Sequence, residues 1–179
     1  MELKHTEIPV EFLRHLPEGI KLVNRHGKEF LVIEQLYGPD GTDLISETVR
    51  LHGEPAIRLG VRVGSSDGIV FVDAYWGSHA KLYSFVPDTA QDDIVEAYVP
   101  ETGKSLMVKR PCIVEGCDCT RSISFSLPGG KNHVYVCGRL GCPGHEIDIA
   151  ELPQPISQTL SSINFFGAGS LEDDWFDQF

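Results

Sequence analysis

A chain of 179 residues, 41% of them hydrophobic and 23% charged, is long enough to bury a core without covalent staples, so its five cysteines are not read as a disulfide framework. A formal charge of -11 repels a phosphate backbone at long range, which argues against nucleic acid as the partner. No stretch approaches the ~20 apolar residues of a membrane span, and no apolar run follows Met1 to His5 as a signal peptide would require; a reducing cytoplasm is the expected setting.

The first expected element is a short helix opened by Pro9, with Val10, Leu13 and Leu16 on its apolar side, ended by Pro17 and Gly19. From Lys21 to Lys109 the pattern is strands and turns. Lys21 to Val23 and Phe30 to Tyr37 flank a hairpin loop at Asn24 to Gly27, and Gly38 to Asp43 is a loop by composition. Ile57 to Val63 alternates apolar and polar, with Arg58 and Arg62 on the far side. Ser65 to Gly68 turns the chain into Ile69 to Trp76, and Gly77 to Ala80 turns it into Leu82 to Val86. Ile94 to Val99 and Ser105 to Val108 bracket a hairpin at Pro100 to Gly103. Short strands at regular spacing, with no long amphipathic helices between them, predict a mainly β fold, an antiparallel sandwich or barrel.

All five cysteines lie between residues 112 and 142, in the pattern Cys112-x4-Cys117-x-Cys119, then Cys137-x4-Cys142-x2-His145. Between the clusters, Ser122 to Leu127 alternates, Pro128 to Asn132 is a turn, and His133 to Val136 alternates again, which predicts a hairpin. Two thiol-bearing turns held by a hairpin suit a tetrahedral metal site, because thiolates are soft donors and four of them close the coordination sphere. Three ligand sets are compatible with the spacing. One is the symmetric pair of Cys-x4-Cys turns, Cys112, Cys117, Cys137 and Cys142; a second replaces Cys112 with Cys119; a third includes His145.

The segment 111–146 resembles a zinc ribbon, in which two ligand turns sit at the ends of a β-hairpin. It departs from that pattern in spacing, since only Cys142 to His145 keeps the usual two-residue gap. The resemblance implies a structural Zn2+. Cys117, Cys119, Ser122, Cys142 and His145 also resemble the three-Cys, one-His arrangement of CDGSH proteins, which implies a [2Fe-2S] cluster as the alternative cofactor.

The basic residues gather around this region: Lys104, Lys109, Arg110, Arg121, Lys131 and Arg139 face only Glu115 and Asp118 there, and no lysine or arginine follows Arg139. Beyond the cysteines, Pro155 opens a short helix with Ile156, Leu160 and Ile163 on one face; the chain then ends in an acidic-aromatic tail, Ser170 to Phe179. Aromatics in such a tail are expected to dock on this protein, on a second copy of it, or in a partner's groove.

No phosphate-binding glycine loop, His-Glu-x-x-His or Gly-x-Ser-x-Gly motif occurs. His26, His52 and His79 fall in turns near acids such as Asp73, and Tyr75, Trp76 and Tyr83 group around one hairpin as expected core. The sequence thus predicts a β-rich domain over 1–110, a zinc-ribbon-like module over 111–150, and a helix with its tail over 151–179. The expected function is a zinc-binding cytoplasmic protein whose structural metal site supports a surface for another protein. The competing class is a metal-dependent enzyme or iron–sulfur protein, with a pocket in the β domain.

Overall fold

The computed structural model describes residues 7–25, 27–78, 80–88, 94–142 and 144–163. Eleven strands and two short helices make up these segments, and every strand pairing is antiparallel. His26, His79 and the acidic-aromatic tail lie outside the described residues.

Helix α1, Val10–Arg14, follows Pro9, whose fixed φ suits a helix start. Phe12 is fully enclosed and Leu13 and Leu16 are half-buried against the core, whereas Val10 is 57% exposed; of the expected face Val10 fails, and Phe12 takes its place. One and a half turns are too few for periodicity to fix a face. The hairpin of β1 (Ile20–Arg25) and β2 (Lys28–Ile33) forms as the loop signal predicted, with Arg25 opposite Lys28.

The largest sheet runs β3 (Ile45–Leu51), β4 (Glu54–Val63), β5 (Ser66–Val72), β6 (Lys81–Tyr83), with β7 (Glu96–Tyr98) also on β4. β3 and β7 share one edge of β4: β3 meets its first half, up to Ile57, and β7 meets Gly60, Val61 and Arg62. β4 has the alternation read from sequence, with Ile57, Leu59, Val61 and Val63 buried, while Arg58 and Arg62 reach outward to Glu101 and Asp67. A Cβ at Gly60 would stand 2.1 Å from the Tyr98 ring, so the glycine is what lets that ring lie on the strand.

The turn expected at Ser65 to Gly68 sits two residues earlier. Val63 pairs with Ser66, and Gly64, at φ 59, takes the left-handed position. Strand β3 carries no sequence signal. It is set by the two-residue turn at His52 and Gly53, whose positive φ values of 53 and 83 match the twist of a tight hairpin.

The second sheet is a meander in the order β11-β10-β9-β8, built from β8 (Met107–Lys109), β9 (Arg121–Ser126), β10 (His133–Cys137) and β11 (His145–Asp148). β9 and β10 are the hairpin read between the cysteine clusters. The expected β7–β8 hairpin forms about its turn at Pro100 to Gly103, where the Val99 amide donates to Lys104, Tyr98 bridges Ser105 and the Leu106 amide donates to Ala97; on their other edges β7 joins β4 and β8 joins β9. That turn is where the chain passes from one sheet to the other. None of the sheets closes on itself among the described residues, so the barrel alternative is corrected to open antiparallel sheets.

One continuous apolar core joins them, with Val61 and Val70 from one sheet and Phe125, Val134 and Ile147 from the other. Helix α2, Gln154–Ser162, packs on β11 and buries Leu160, with Ile163 just past its end. The Trp76 indole donates to the Leu160 carbonyl at 2.9 Å, tying the helix to the strand-like strap that follows β5.

Candidate metal centre

Two loops emerge from the same end of the meander. The β8–β9 loop, residues 110–120, carries Cys112, Cys117 and Cys119; the β10–β11 connection starts at Cys137 and carries Cys142. Antiparallel order forces this proximity, because Lys109 is opposite Arg121, Cys137 opposite Ser122, and Val136 opposite His145. Four cysteines converge there: the sulfurs of Cys112, Cys117, Cys137 and Cys142 all lie within 4.8 Å of one another.

The separations test whether this group fits a metal. Cys112 to Cys142 is 3.7 Å, Cys117 to Cys137 is 3.8 Å, and Cys117 to Cys142 is 3.8 Å. A tetrahedron with Zn–S bonds of about 2.3 Å has an edge of about 3.8 Å. Disulfide sulfurs stand about 2 Å apart, and all five cysteines are free thiols. The four-sulfur group can therefore hold a metal ion as it stands.

The surrounding backbone suits thiolates. The amide of Val114 donates to Cys112 Sγ at 3.4 Å and that of Arg139 to Cys137 Sγ at 3.4 Å. The Cys119 amide donates to Cys117 and holds its thiol below the usual range. Each donor lies two residues beyond its cysteine, so the loops aim N–H groups at sulfur despite their irregular spacing. Burial acts the other way: it pushes the Cys112 thiol up to about 11 and raises Cys137 as well, because neither site solvates a lone thiolate. A cation in the middle relieves that penalty.

The two alternates stand outside the group. Cys119 is buried, and its thiol donates to the Arg121 carbonyl at 3.3 Å. His145 turns inward: Nε2 donates to the Ile163 carbonyl at 2.7 Å, and its ring meets Trp76 edge-on at 4.7 Å. Its proximity to Cys142 in sequence reflects the start of β11, where side chains alternate and this one faces α2.

One essential neighbour carried no sequence signal. A Cβ on Gly144 would sit 2.6 Å from Cys112 Sγ and 3.2 Å from Cys137 Cβ. Gly144 does not have a positive φ, so its role is the close approach of the loops rather than a turn conformation. Gly116 and Gly141, at φ 86 and 85, are the turn glycines of the two loops.

The arginines of this region are drawn into pairs. Arg110 reaches Glu146 and lies 4.0 Å over the Tyr135 ring, Arg121 pairs with Glu96, and Arg139 with Asp118 at 2.6 Å. Further from the sulfurs, His52 Nδ1 contacts Asp73 at 2.7 Å, and the same carboxylate accepts from Ser78 Oγ and from the Tyr75 amide. Asp73 thereby pins the β3–β4 turn to the chain after β5. This serine and histidine both bind the carboxylate rather than each other, so the trio lacks the nucleophile-to-base contact of a hydrolytic triad.

No family model matches the chain, and no curated protein or solved structure is significantly similar to it.

Proposed function

We propose that this is a zinc-binding protein in which Cys112, Cys117, Cys137 and Cys142 hold one Zn2+ as a structural centre. The observation that carries the reading is the four-sulfur group, all within 4.8 Å of one another and with three edges of 3.7 to 3.8 Å. A binuclear cluster divides its terminal thiolates between two metals and sets them further apart than this, which favours a mononuclear ion over [2Fe-2S]. Four protein thiolates leave no open position for water or substrate, so the ion's role is to fix the loops rather than to catalyse.

In this reading the metal fastens an otherwise irregular loop of eleven residues to the end of the meander, and the two larger sheets face each other as a sandwich. Zinc modules of this kind gain of order 10 kcal/mol from the metal, ample to order such a loop. The ordered loop then serves as a surface for another protein in the cytoplasm. Ile113, 51% exposed beside Cys112, and Val108 on β8 supply apolar contacts on that side. The zinc-ribbon-like module is the functional unit, and the 1–110 segment is its support; a second copy docking through the acidic-aromatic tail is the homo-oligomeric version of the same idea.

Elemental analysis of protein purified without chelator tests the metal claim. One zinc per chain in a colourless solution, lost in Cys112→Ser and Cys137→Ser but kept in Cys119→Ser, supports it. Iron with visible absorbance would move the function to electron transfer or cluster sensing, and no metal at all would remove its basis.

A further inference from the structure

The two sheets do not meet completely. Between them lies a cavity of about 110 Å3 whose walls are the inward side chains of β4, β5, β9 and β10, among them Leu59, Val61, Val70, Val72, Phe125 and Val136. Its solvent side is formed by exposed Lys81 and half-buried Tyr83 of β6, and by Arg139, Leu140 and Cys142 of the metal loop. The cavity and the four-sulfur group thus share a wall.

We infer that this cavity is a binding site for a small uncharged apolar molecule, an aromatic ring or branched chain of about benzene size, and that its occupancy is coupled to that of the metal site. The coupling rests on the proposed function; the binding site does not. Size follows from volume: an apolar cavity of about 150 Å3 accepts benzene, and this one is somewhat smaller but open on one side. Chemical class follows from the walls, which are hydrocarbon from β4, β5, β9 and β10, with most of the polar groups among them already engaged. Asp73 accepts from His52, Ser78 and the Tyr75 amide. Arg139 holds Asp118, and His145 donates to the Ile163 carbonyl. The Lys81 ammonium belongs to the exposed mouth of the cavity. The cationic groups of the lining, Lys81 and Arg139, stand on the solvent side, so an anion would be held there rather than among the hydrocarbon walls. What remains is hydrocarbon, and hydrocarbon surface selects apolar ligands.

Coupling follows from the shared wall. Cys137, Cys142 and Gly144 line both the cavity and the sulfur group, and the loop is held to its neighbours by the Ile94–Arg139 bridge, the Val95 amide on the Gly138 carbonyl, the Gly138 amide on the Arg121 carbonyl and the Arg139–Asp118 pair. A ligand that packs against the ordered loop prefers the metal-bound arrangement, and by linkage it raises metal affinity by the same factor.

The test uses the full-length, metal-loaded protein with benzene as probe, followed by NMR of its methyl groups and by thermal midpoint. Saturable shifts below the solubility limit and a raised midpoint are expected, with benzoate and benzylamine at least tenfold weaker. Val72→Phe, which fills the cavity away from the cysteines, should abolish binding at unchanged metal content, and the milder Val72→Ile should weaken it if the larger variant does not fold. No saturable shift with benzene, or equal binding by the filled variant, overturns the site; equal binding of benzoate overturns the uncharged class. In a chelator competition, benzene saturation should raise apparent zinc affinity several-fold, and an unchanged affinity overturns the coupling alone.

Discussion

Replacing Gly144 with alanine puts one methyl group where the structure has no room for it. The added carbon would stand 2.6 Å from Cys112 Sγ, 3.2 Å from Cys137 Cβ and 3.3 Å from Val114 Cγ2. An ordinary carbon–sulfur contact needs about 1 Å more than the first of these, on the scale at which non-bonded wells lie. Because Gly144 lacks a positive φ, backbone strain adds nothing, and the whole effect is the displacement of a sulfur. Without metal, overpacking of this kind costs about 1–3 kcal/mol. With metal the penalty is larger in kind: shifting Cys112 by a good fraction of a 2.3 Å bond removes or distorts a ligand, and disturbing even a ligand's supporting contacts costs about 10- to 100-fold in affinity. Competition against a chromophoric chelator reads the affinity, and urea unfolding of the metal-free protein reads the strain. Gly141→Ala is the control, since it meets nothing within 4 Å but sits at φ 85; it should lose about 1–2 kcal/mol of stability with no direct push on a sulfur. If Gly144→Ala binds zinc as tightly as the parent protein, the loops do not approach as described and the four-sulfur geometry is wrong.

Other expected outcomes rest on neighbouring contacts. His145→Asn should keep full metal stoichiometry while losing about 1–3 kcal/mol of stability, because it breaks the bond to the Ile163 carbonyl and the packing on Trp76; loss of metal instead would make His145 a ligand. Zinc affinity should climb steeply with pH: the thiols of Cys112 and Cys137 are raised, hence protonated in the metal-free protein at neutral pH, and binding must expel those protons. These two protons alone give at least about a 100-fold gain per pH unit between pH 6 and 8, measured by chelator competition, and a flat profile would contradict thiolate ligation. Asp73→Asn turns one acceptor into a donor facing His52 and Ser78, so urea unfolding should show a loss of about 1–3 kcal/mol, and an unchanged midpoint would deny Asp73 its pinning role.

The parts of the fold legible in the sequence are those set by local chemistry. Alternation marked β4, turn residues marked the β1–β2 and β9–β10 hairpins, and the clustering of thiols between two strands marked the loops that bring Cys112, Cys117, Cys137 and Cys142 together. What escaped was set by distant partners. β11 begins at His145, a residue read as a candidate ligand, and only its pairing with Val136 and its contact with Ile163 explain the burial of that ring. β3 depends on a positive φ at His52, a residue type with weak turn preference, stabilised by Asp73 from the chain after β5. The β7–β8 turn was legible as a hairpin and is one from Ala97 to Leu106, but that its arms also pair with β4 and β9 is set by partners distant in sequence. Gly60, which leaves room for the Tyr98 ring where β7 meets β4, shows nothing of that contact in the sequence. Gly144 was silent for the same reason, since a close approach leaves no trace in composition.

Zinc-edge X-ray absorption on the protein as purified addresses the central claim most directly. The account predicts one zinc per chain with four sulfur scatterers at about 2.3 Å and no nitrogen or oxygen in the inner shell. A nitrogen scatterer, fewer sulfurs, or a sample whose metal is iron with a second iron nearby would contradict it.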